Sequence, residues 1–455
     1  MLYKLLLLFC LYIPFQLALN ASEGFDLASG RVFILILGIL WLFKSLAQKK
    51  LFIPNKIQSL LLLSFLFLSA FSLIFSQNTD WAYRKLLFLL SFIPLYFIVA
   101  DITNHCHSER LAKNPSISNI RSSLNRPGSF IEATQDDSTT KIIKFLIFSA
   151  GLASLIGIFQ FILQFFIGID PTLNLWQTAI TPFLGNSFSQ AVFQNPSWLV
   201  GISGNTYMRA IAFFPDPHMF AFYLGMILPF AIALFLENKK KIYFIISGLI
   251  LVADLLTFSR GGYLGLLSGI ILSFFIFRKE LLSKFSFKKI FAINIFILLT
   301  AAIIIFPNPI SQRLTSSFDA SEGSNIGRLQ TWEQSLKVIK NNPLGVGIGN
   351  YALEIKPSAD YREPIYSHNL YLDIASETGI MNSLIFIWLL IASILSFMRL
   401  GKDNKLYLAG AISLFIFAVH SIFETPLFSI HILPLLLIII ALSTACHSCE
   451  SRNLH

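Results

Sequence analysis

Long apolar runs recur along this chain, and each has the length that crosses a lipid bilayer as a helix. Runs of roughly 17 to 25 apolar residues suit helical spans, whereas barrel strands need only about ten. Hydrophobic residues make up 55% of the 455 residues and charged residues only 13%. Soluble domains carry about 25% charged residues. The sequence therefore predicts an all-α, polytopic membrane protein.

The apolar runs predict about twelve transmembrane helices. They cover about residues 3–19, 32–47, 58–76, 86–100, 142–168, 211–236, 242–258, 262–277, 290–306, 380–398, 406–424 and 426–443. The predicted regions are helices 1–4 (1–100), a flexible polar loop (101–141), helices 5–9 with an outer loop at 169–210 (142–306), a large loop (307–380), helices 10–12 (381–443) and a tail (444–455). For residues 1–20 a cleaved signal peptide is the alternative to a retained helix, but the single Lys4 makes a weak basic region for one.

Lysine and arginine in the short loops orient the spans. The basic stretches are 49–56, 239–241, 278–289 and 399–405. Alternation of the spans puts all of them on one side, which is predicted to be the cytoplasm. The interval 169–208 has no Lys or Arg and falls on the periplasmic side with the loop 307–380. The net charge of +10 therefore reflects topology and contact with membrane lipids, and not binding to nucleic acid.

Cysteine and histidine occur together at two places, His105-Cys106-His107 and Cys446-His447-Ser448-Cys449. Both lie in polar segments without apolar periodicity, so metal ligation is the weaker interpretation of them. Cys10 lies within a span and the other cysteines fall on the reducing side, so no disulfide framework is expected. No metal and no cofactor are predicted.

The first polar motif lies at the start of the sixth span. Tyr207-Met208-Arg209 precedes Phe214-Pro215-Asp216-Pro217-His218, and two prolines around an acid cannot continue an ordinary helix. Broken backbone at membrane depth is tolerated where it lines a cavity. Either the prolines only kink the start of a helix, or Arg209 and His218 face an anionic ligand.

A second motif, Ser259-Arg260-Gly261-Gly262, lies where the seventh and eighth spans meet on the outer side. An arginine in hydrocarbon is costly unless it reaches an interface or a partner. Arg260 is either a snorkelling anchor or a phosphate ligand, because a guanidinium binds a diphosphate with two parallel hydrogen bonds. The phosphate interpretation is favoured on this ground, and arginine is also unexpected on this side.

The loop 307–380 begins with a predicted amphipathic helix, opened by Arg328 and ended by Asn342-Pro343. Its apolar residues repeat at helical spacing and are expected to lie on the membrane surface. They are Leu329, Trp332, Leu336 and Ile339. The glycine-rich run 344–350 follows without the strand–turn–helix unit of a nucleotide loop. It predicts a turn at which backbone approaches another group closely.

His368 is the candidate base of this loop. A lone histidine at a helix start is usually a cap or an interfacial residue, yet a neutral imidazole near pH 7 can also accept a proton. On the outer face His218 and His431 are the other residues suited to that role. His420 and Glu424 are predicted one turn apart on a later helix. They either assist the reaction or only pair with each other.

Together these motifs resemble the O-antigen ligase and polymerase family of bacterial envelope glycosyltransferases. The resemblance covers about residues 200–400. The motifs that carry it are Ser259-Arg260-Gly261-Gly262, Asn342-Pro343-Leu344-Gly345-Val346-Gly347-Ile348-Gly349-Asn350, His368-Asn369-Leu370-Tyr371-Leu372 and Glu377-Thr378-Gly379. It implies that His368 activates an acceptor hydroxyl and that Arg260, with Arg209 and Arg328, binds a diphosphate. Relatives often carry Asn where this chain has His218.

The resemblance implies a metal-independent, inverting transfer of a glycan from undecaprenyl diphosphate at the periplasmic face of the bacterial inner membrane. Lipid A core is the acceptor considered first, and a glycan repeat (polymerase) or a protein (oligosaccharyltransferase) is the alternative. Four further residues are predicted to assist this transfer: His218, Glu377, His420 and Glu424. A flippase or transporter also suits twelve helices, but it predicts an internal repeat that the sequence does not display.

Overall fold

The computed structural model describes residues 1–22, 25–49, 51–113, 129–194, 197–202, 204–283, 309–316, 323–361, 363, 365–402 and 404–445. These residues are mostly helical, which confirms the predicted class. Two short antiparallel hairpins are the exceptions, β1 (Ala18–Ser22) with β2 (Phe25–Ala28) and β3 (Leu199–Ile202) with β4 (Asn205–Met208).

The helices fall into two sets on either side of the second hairpin. The first set is α1 (Leu2–Tyr12), α2 (Ser29–Ala47), α3 (Ile57–Phe71), α4 (Thr79–Lys113), α5 (Ser129–Ile167), α6 (Ile169–Leu184) and α7 (Asn186–Gln194). The second set is α8 (Pro217–Asn238), α9 (Lys241–Leu255), α10 (Arg260–Ser283), α11 (Pro309–Thr315), α12 (Gly323–Asn341), α13 (Tyr351–Ile355), α14 (Leu370–Thr378), α15 (Ile380–Leu400), α16 (Lys405–His420) and α17 (Ile432–Leu442).

Seven of the described helices are long and apolar enough to cross a membrane, so this is a multi-pass membrane protein. They are Ser29–Ala47, Ile57–Phe75, Thr79–Asn104, Ser138–Ile167, Pro217–Asn238, Arg260–Arg278 and Ile380–Leu400. Shorter apolar helices are Leu2–Phe15, Lys405–His420 and Ile432–Leu442. The predicted span at 242–258 is the 15-residue helix α9, and the one at 290–306 lies outside the described residues.

Several predicted boundaries differ from the structure. The first span was predicted too long, because α1 ends at Tyr12 and a short turn containing Pro14 leads into β1. The outer loop 169–210 is folded into α6, α7 and the β3–β4 hairpin. Helices α4 and α5 extend into both ends of the polar stretch 101–141.

Helix α8 is the centre of the bundle and packs against α5, α9, α10 and α16. Within its apolar window 83% of the residues are buried, against 33% to 61% for the other candidate spans. Those other helices leave large apolar side chains exposed, as expected of a surface that meets lipid. An apolar outer surface and an apolar centre together explain why charged residues are so few.

The two ends of the bundle differ in charge and in motifs. The start of α8, the start of α10 and the end of α16 bring His218, Arg260 and His420 to one end. The bases between α8 and α9, and between α15 and α16, lie at the opposite end of the same helices: Lys239, Lys240, Lys241, Lys402 and Lys405.

Candidate active site

The start of α8 is shaped by the two prolines around Asp216. Pro217 occupies the first turn, where its missing N–H costs nothing. The Asp216 carboxylate accepts hydrogen bonds from the backbone N–H groups of His218 (2.8 Å) and Met219 (2.9 Å). The helix therefore begins at residue 217 and not at 211 as predicted, and it presents the His218 ring at the bundle end.

Ser259 connects this ring to two other helices. Its Oγ lies 2.9 Å from His218 Nδ1 and 3.5 Å from His420 Nε2, and it accepts a hydrogen bond from Gly262 N–H (3.2 Å). The following glycines serve close packing, because a Cβ at Gly261 would lie 2.7 Å from His420 Cδ2. The tight turn itself is made by Phe258, whose φ is +49°.

Glu424 is the acid on which the site converges, and it is 3% exposed. Its Oε1 lies 3.1 Å from Arg328 Nη2 and 3.7 Å from His218 Nε2, and its Oε2 lies 3.1 Å from His368 Nδ1. Burial alone raises the pKa of Glu424, but the charges of His218, His368 and Arg328 and the hydrogen bond to His368 outweigh it. Its pKa therefore lies well below the usual range, and the carboxylate is ionised.

The helix that was predicted to continue to residue 424 ends at His420. Thr425-Pro426 follows, and the residue before a proline is disfavoured in a helix. Glu424 is thereby released from α16 and turns towards His368. His420 instead stacks on Phe222, with ring centroids 3.5 Å apart. The two residues do not form the one-turn pair that the sequence predicted.

His368 lies at the start of α14 in a rarely used conformation. Its φ is +50°, a left-handed value that costs a non-glycine residue on the order of 1–3 kcal/mol. The next residue, Asn369, caps α14 by accepting hydrogen bonds from the N–H groups of Tyr371 (3.0 Å) and Leu372 (3.1 Å). His368 is therefore not the side-chain cap of the helix.

The pKa of His368 reflects its contact with Glu424. Burial lowers the pKa of this imidazole, whereas the hydrogen bond and the charge of Glu424 raise it. The charge of Arg328 also lowers this pKa, and the charge of Asp373 also raises it. The result is a pKa above the usual 6.5.

Two further buried arginines, Arg209 and Arg260, belong to the same end of the bundle. Arg209 is 4% exposed and Arg260 is 3% exposed. Arg209 donates from Nε to the Thr257 carbonyl (2.6 Å) and from Nη1 to the Ser197 carbonyl (3.0 Å), while its Nη2 has no hydrogen-bond partner among the described residues. Burial, and then the positive charge of Arg313, lower the pKa of Arg209 to about 9.

Arg313 on α11 was missed by the sequence interpretation. Its Nε donates to the Phe258 carbonyl (3.4 Å), next to the motif that contains Arg260. Arg260 itself donates from Nη1 to the Ser316 carbonyl (3.3 Å). Position in the outer loop was the available signal for Arg313, but no motif distinguished it from other loop bases.

The glycine-rich turn approaches the chain's own backbone. A Cβ at Gly345 would lie 2.5 Å from the Glu377 carbonyl oxygen, and one at Gly347 would lie 2.6 Å from Ser76 Cα. Both glycines have φ near +90°, which suits glycine alone. The close approach that the sequence predicted is therefore structural packing between this turn, α14 and the segment before α4.

Glu377 belongs to the same packing region. Its Oε1 forms a 2.7 Å ion pair with Lys85 Nζ on α4. This contact lies at the far end of α14 from His368. The structure thus brings His218, His368, Glu424 and Arg328 into one contact group, with His420 and Ser259 beside it, and engages Glu377 elsewhere.

Within the part of the chain that the structure describes, no three His, Cys, Asp or Glu side chains are grouped to hold a metal ion. The side chain of Cys106 and the whole of 446–449 lie outside that part.

No curated protein matches this chain. Residues 242–387 match the family model described as O-Antigen ligase. The matched segment runs from α9 into α15, and it includes Arg260, Arg328 and His368. This segment of the chain is therefore similar to the O-antigen ligase family.

Proposed function

We propose that this protein transfers a glycan from an undecaprenyl-diphosphate carrier to an acceptor hydroxyl at the periplasmic face of the bacterial inner membrane. Ligation of O-antigen to lipid A core is the reaction we put first. The observation that carries the proposal is the 3.1 Å contact of His368 Nδ1 with Glu424 Oε2, beside the buried arginines Arg209 and Arg260. A positioned base and charge-stabilising side chains are what this reaction needs.

His368 is the general base in this proposal. Ionised Glu424 accepts the Nδ1–H of the neutral imidazole, which leaves the lone pair of Nε2 free. Nε2 takes the proton as the acceptor O–H bond breaks and that oxygen bonds to the anomeric carbon. The bond from this carbon to the phosphate oxygen breaks, and its electron pair leaves with the diphosphate. Such a single displacement inverts the anomeric centre.

The arginines stabilise the leaving diphosphate. Arg209 Nη2 is a buried donor without a hydrogen-bond partner among the described residues, and an unmet buried donor is costly unless a ligand satisfies it. Arg260 and Arg328 are the further diphosphate ligands, and Arg313 adds positive charge on the same side. Guanidinium groups bind phosphate oxygens bidentately, so they supply the charge that a metal would otherwise supply.

The distribution of lysine supports a periplasmic site. Lys239–Lys241 and Lys402 lie at the bundle end opposite His218 and His420. Short loops rich in lysine stay in the cytoplasm. The site then faces the compartment where the carrier-linked glycan and the acceptor meet.

Polymerisation of glycan repeats, or transfer to a protein, needs the same base and the same arginines and differs only in the acceptor. Transport is a separate class of function, and it requires neither a base nor a leaving group. A transfer assay distinguishes all of these.

The test uses purified protein with an undecaprenyl-diphosphate glycan and one acceptor at a time: lipid A core, a second carrier-linked repeat, or a peptide. A gel shift of lipid A core is the result expected. Product with the carrier-linked repeat alone would make the protein a polymerase, and product with the peptide alone would make it a protein oligosaccharyltransferase. Absence of product with every acceptor, although the donor binds, would overturn the enzymatic proposal.

A further inference from the structure

Asp373, in the first turn of α14, binds two segments that are far apart in sequence. Its Oδ1 accepts hydrogen bonds from Ser367 N–H (2.8 Å) and Ser367 Oγ–H (2.6 Å). Its Oδ2 accepts a short hydrogen bond from the Thr425 hydroxyl. Asp373 is 7% exposed, so water competes little for these contacts.

The two bound residues are the neighbours of the proposed catalytic pair. Ser367 directly precedes His368, and Thr425 directly follows Glu424. One carboxylate thus connects the same two segments that the His368–Glu424 hydrogen bond connects across 56 residues. Fixing both neighbours constrains how far apart the imidazole and the carboxylate of the pair can move.

The backbone at His368 needs such a constraint. Its φ of +50° is held only where the surrounding structure over-determines it. Ser335 on α12 adds to the restraint, because its Oγ–H donates to Ser367 Oγ (2.7 Å). Leu370 N–H donates to the Ser421 carbonyl (2.9 Å), which ties the start of α14 to the segment that carries Glu424.

We propose that Asp373 is a positioning residue, which holds the His368 imidazole against the Glu424 carboxylate by binding Ser367 and Thr425. Asp373 does not touch the reacting atoms. Its importance for turnover rests on the proposed function, since it matters for transfer only if His368 is the base. A displacement of about 1 Å in a reacting group can cost on the order of 10²-fold in rate.

The first test changes Thr425, because this substitution alters no charge. Thr425→Val removes the hydroxyl and keeps the shape, and Thr425→Ser is the matched control that retains the hydrogen bond. We expect Thr425→Val to lower kcat for transfer by about 10- to 10²-fold with little change in the KM for donor. Thr425→Ser should stay near wild type. Should Thr425→Val not reach the membrane, Thr425→Ala makes the same comparison with a smaller side chain.

The second measurement does not depend on transfer. Diethyl pyrocarbonate modifies neutral imidazole, and the His368 side chain is 34% exposed, so mass spectrometry can follow its modification against pH. The groups facing His368 are Glu424, Arg328, Asp373 and Tyr366. Loss of the Thr425 contact leaves the Ser367 contacts of Asp373 in place and frees the segment that carries Glu424, so the midpoint should fall in Thr425→Val and stay unchanged in Thr425→Ser.

The outcomes separate the two proposals. A lower midpoint together with lower kcat in Thr425→Val supports the positioning role. An unchanged midpoint overturns it, whether kcat falls or not. If His368→Ala retained full transfer, the proposed function would fail, while the midpoint would still report whether Asp373 holds the pair together.

Discussion

Replacing Glu424 by Gln is the perturbation whose consequences the structure defines most fully. The substitution keeps the shape and removes the charge that lies 3.1 Å from His368 Nδ1. At that distance a full charge pair is worth about 5 kcal/mol at an effective dielectric constant of about 20. Burial and the charge of Arg328 lower the pKa of His368, whereas Glu424 raises it. The net stabilisation of protonated His368 is therefore smaller than the energy of the charge pair.

The pH dependence of transfer follows from that balance. A base must be unprotonated, so the acidic limb of kcat/KM in the wild type should lie above pH 6.5, because the pKa of His368 is raised from that value. In Glu424→Gln, burial and Arg328 remain, and the pKa falls. We expect the limb to move to lower pH, because the charge of Glu424 no longer raises the pKa of His368. The plateau of kcat should fall by about 10²-fold or more because the imidazole loses its orientation.

Stability should change with pH in a matching way. The pKa of His368 is higher in the folded protein than in the unfolded chain, where it is near 6.5. Protonated His368 therefore stabilises the fold below pH 6.5, and this stabilisation is lost as pH rises through the folded-state pKa. Wild type should therefore lose this contribution above pH 6.5, and Glu424→Gln should not. Thermal unfolding in detergent at pH 6 and pH 8, with pH–rate profiles of both proteins, measures this. An acidic limb that stays in place in Glu424→Gln would refute the reasoning.

Three further predictions concern Arg260, the effect of a metal chelator and the membrane topology. Arg260→Lys keeps the charge but loses the paired N–H donors of the guanidinium. Transfer should therefore fall by at least about tenfold, while the protein still reaches the membrane. Normal transfer by Arg260→Ala would show that Arg260 only anchors the helix at the membrane surface. Transfer should survive EDTA, and inhibition reversed by one divalent ion would contradict a reaction supported by arginines alone. Reporter fusions at Gly323 and Asp360 should read periplasmic and those at Lys240 and Lys402 cytoplasmic, and a cytoplasmic signal at Asp360 would put the site on the wrong side.

Sequence patterns predicted the elements of this fold better than their ends. Apolar runs located the long helices because lipid imposes a length and a composition on each. They could not show that α16 ends at His420, since Ile422 and Phe423 continue the apolar pattern and only Thr425-Pro426 interrupts it. That break decides the chemistry, because it turns Glu424 towards His368 and away from His420.

Local motifs identified the site residues, but distances between them depend on packing. His368, Glu424 and His218 were all candidates, yet their meeting depends on α8, α14 and α16 ending at the same side of the bundle. Glu377 belonged to the same motif group and instead pairs with Lys85, 292 residues away. Arg313 had no motif, and its place beside Phe258 follows only from the tertiary structure.

Single-turnover transfer by His368→Gln shows whether His368 accepts the proton of the acceptor hydroxyl. Glutamine can still donate a hydrogen bond to Glu424, but it cannot take up a proton, and His368→Ala removes both functions. Donor binding is measured separately on each protein. Both variants should bind donor like wild type and transfer glycan about 10²- to 10⁴-fold more slowly. Transfer by His368→Gln at the wild-type rate would contradict this role of His368.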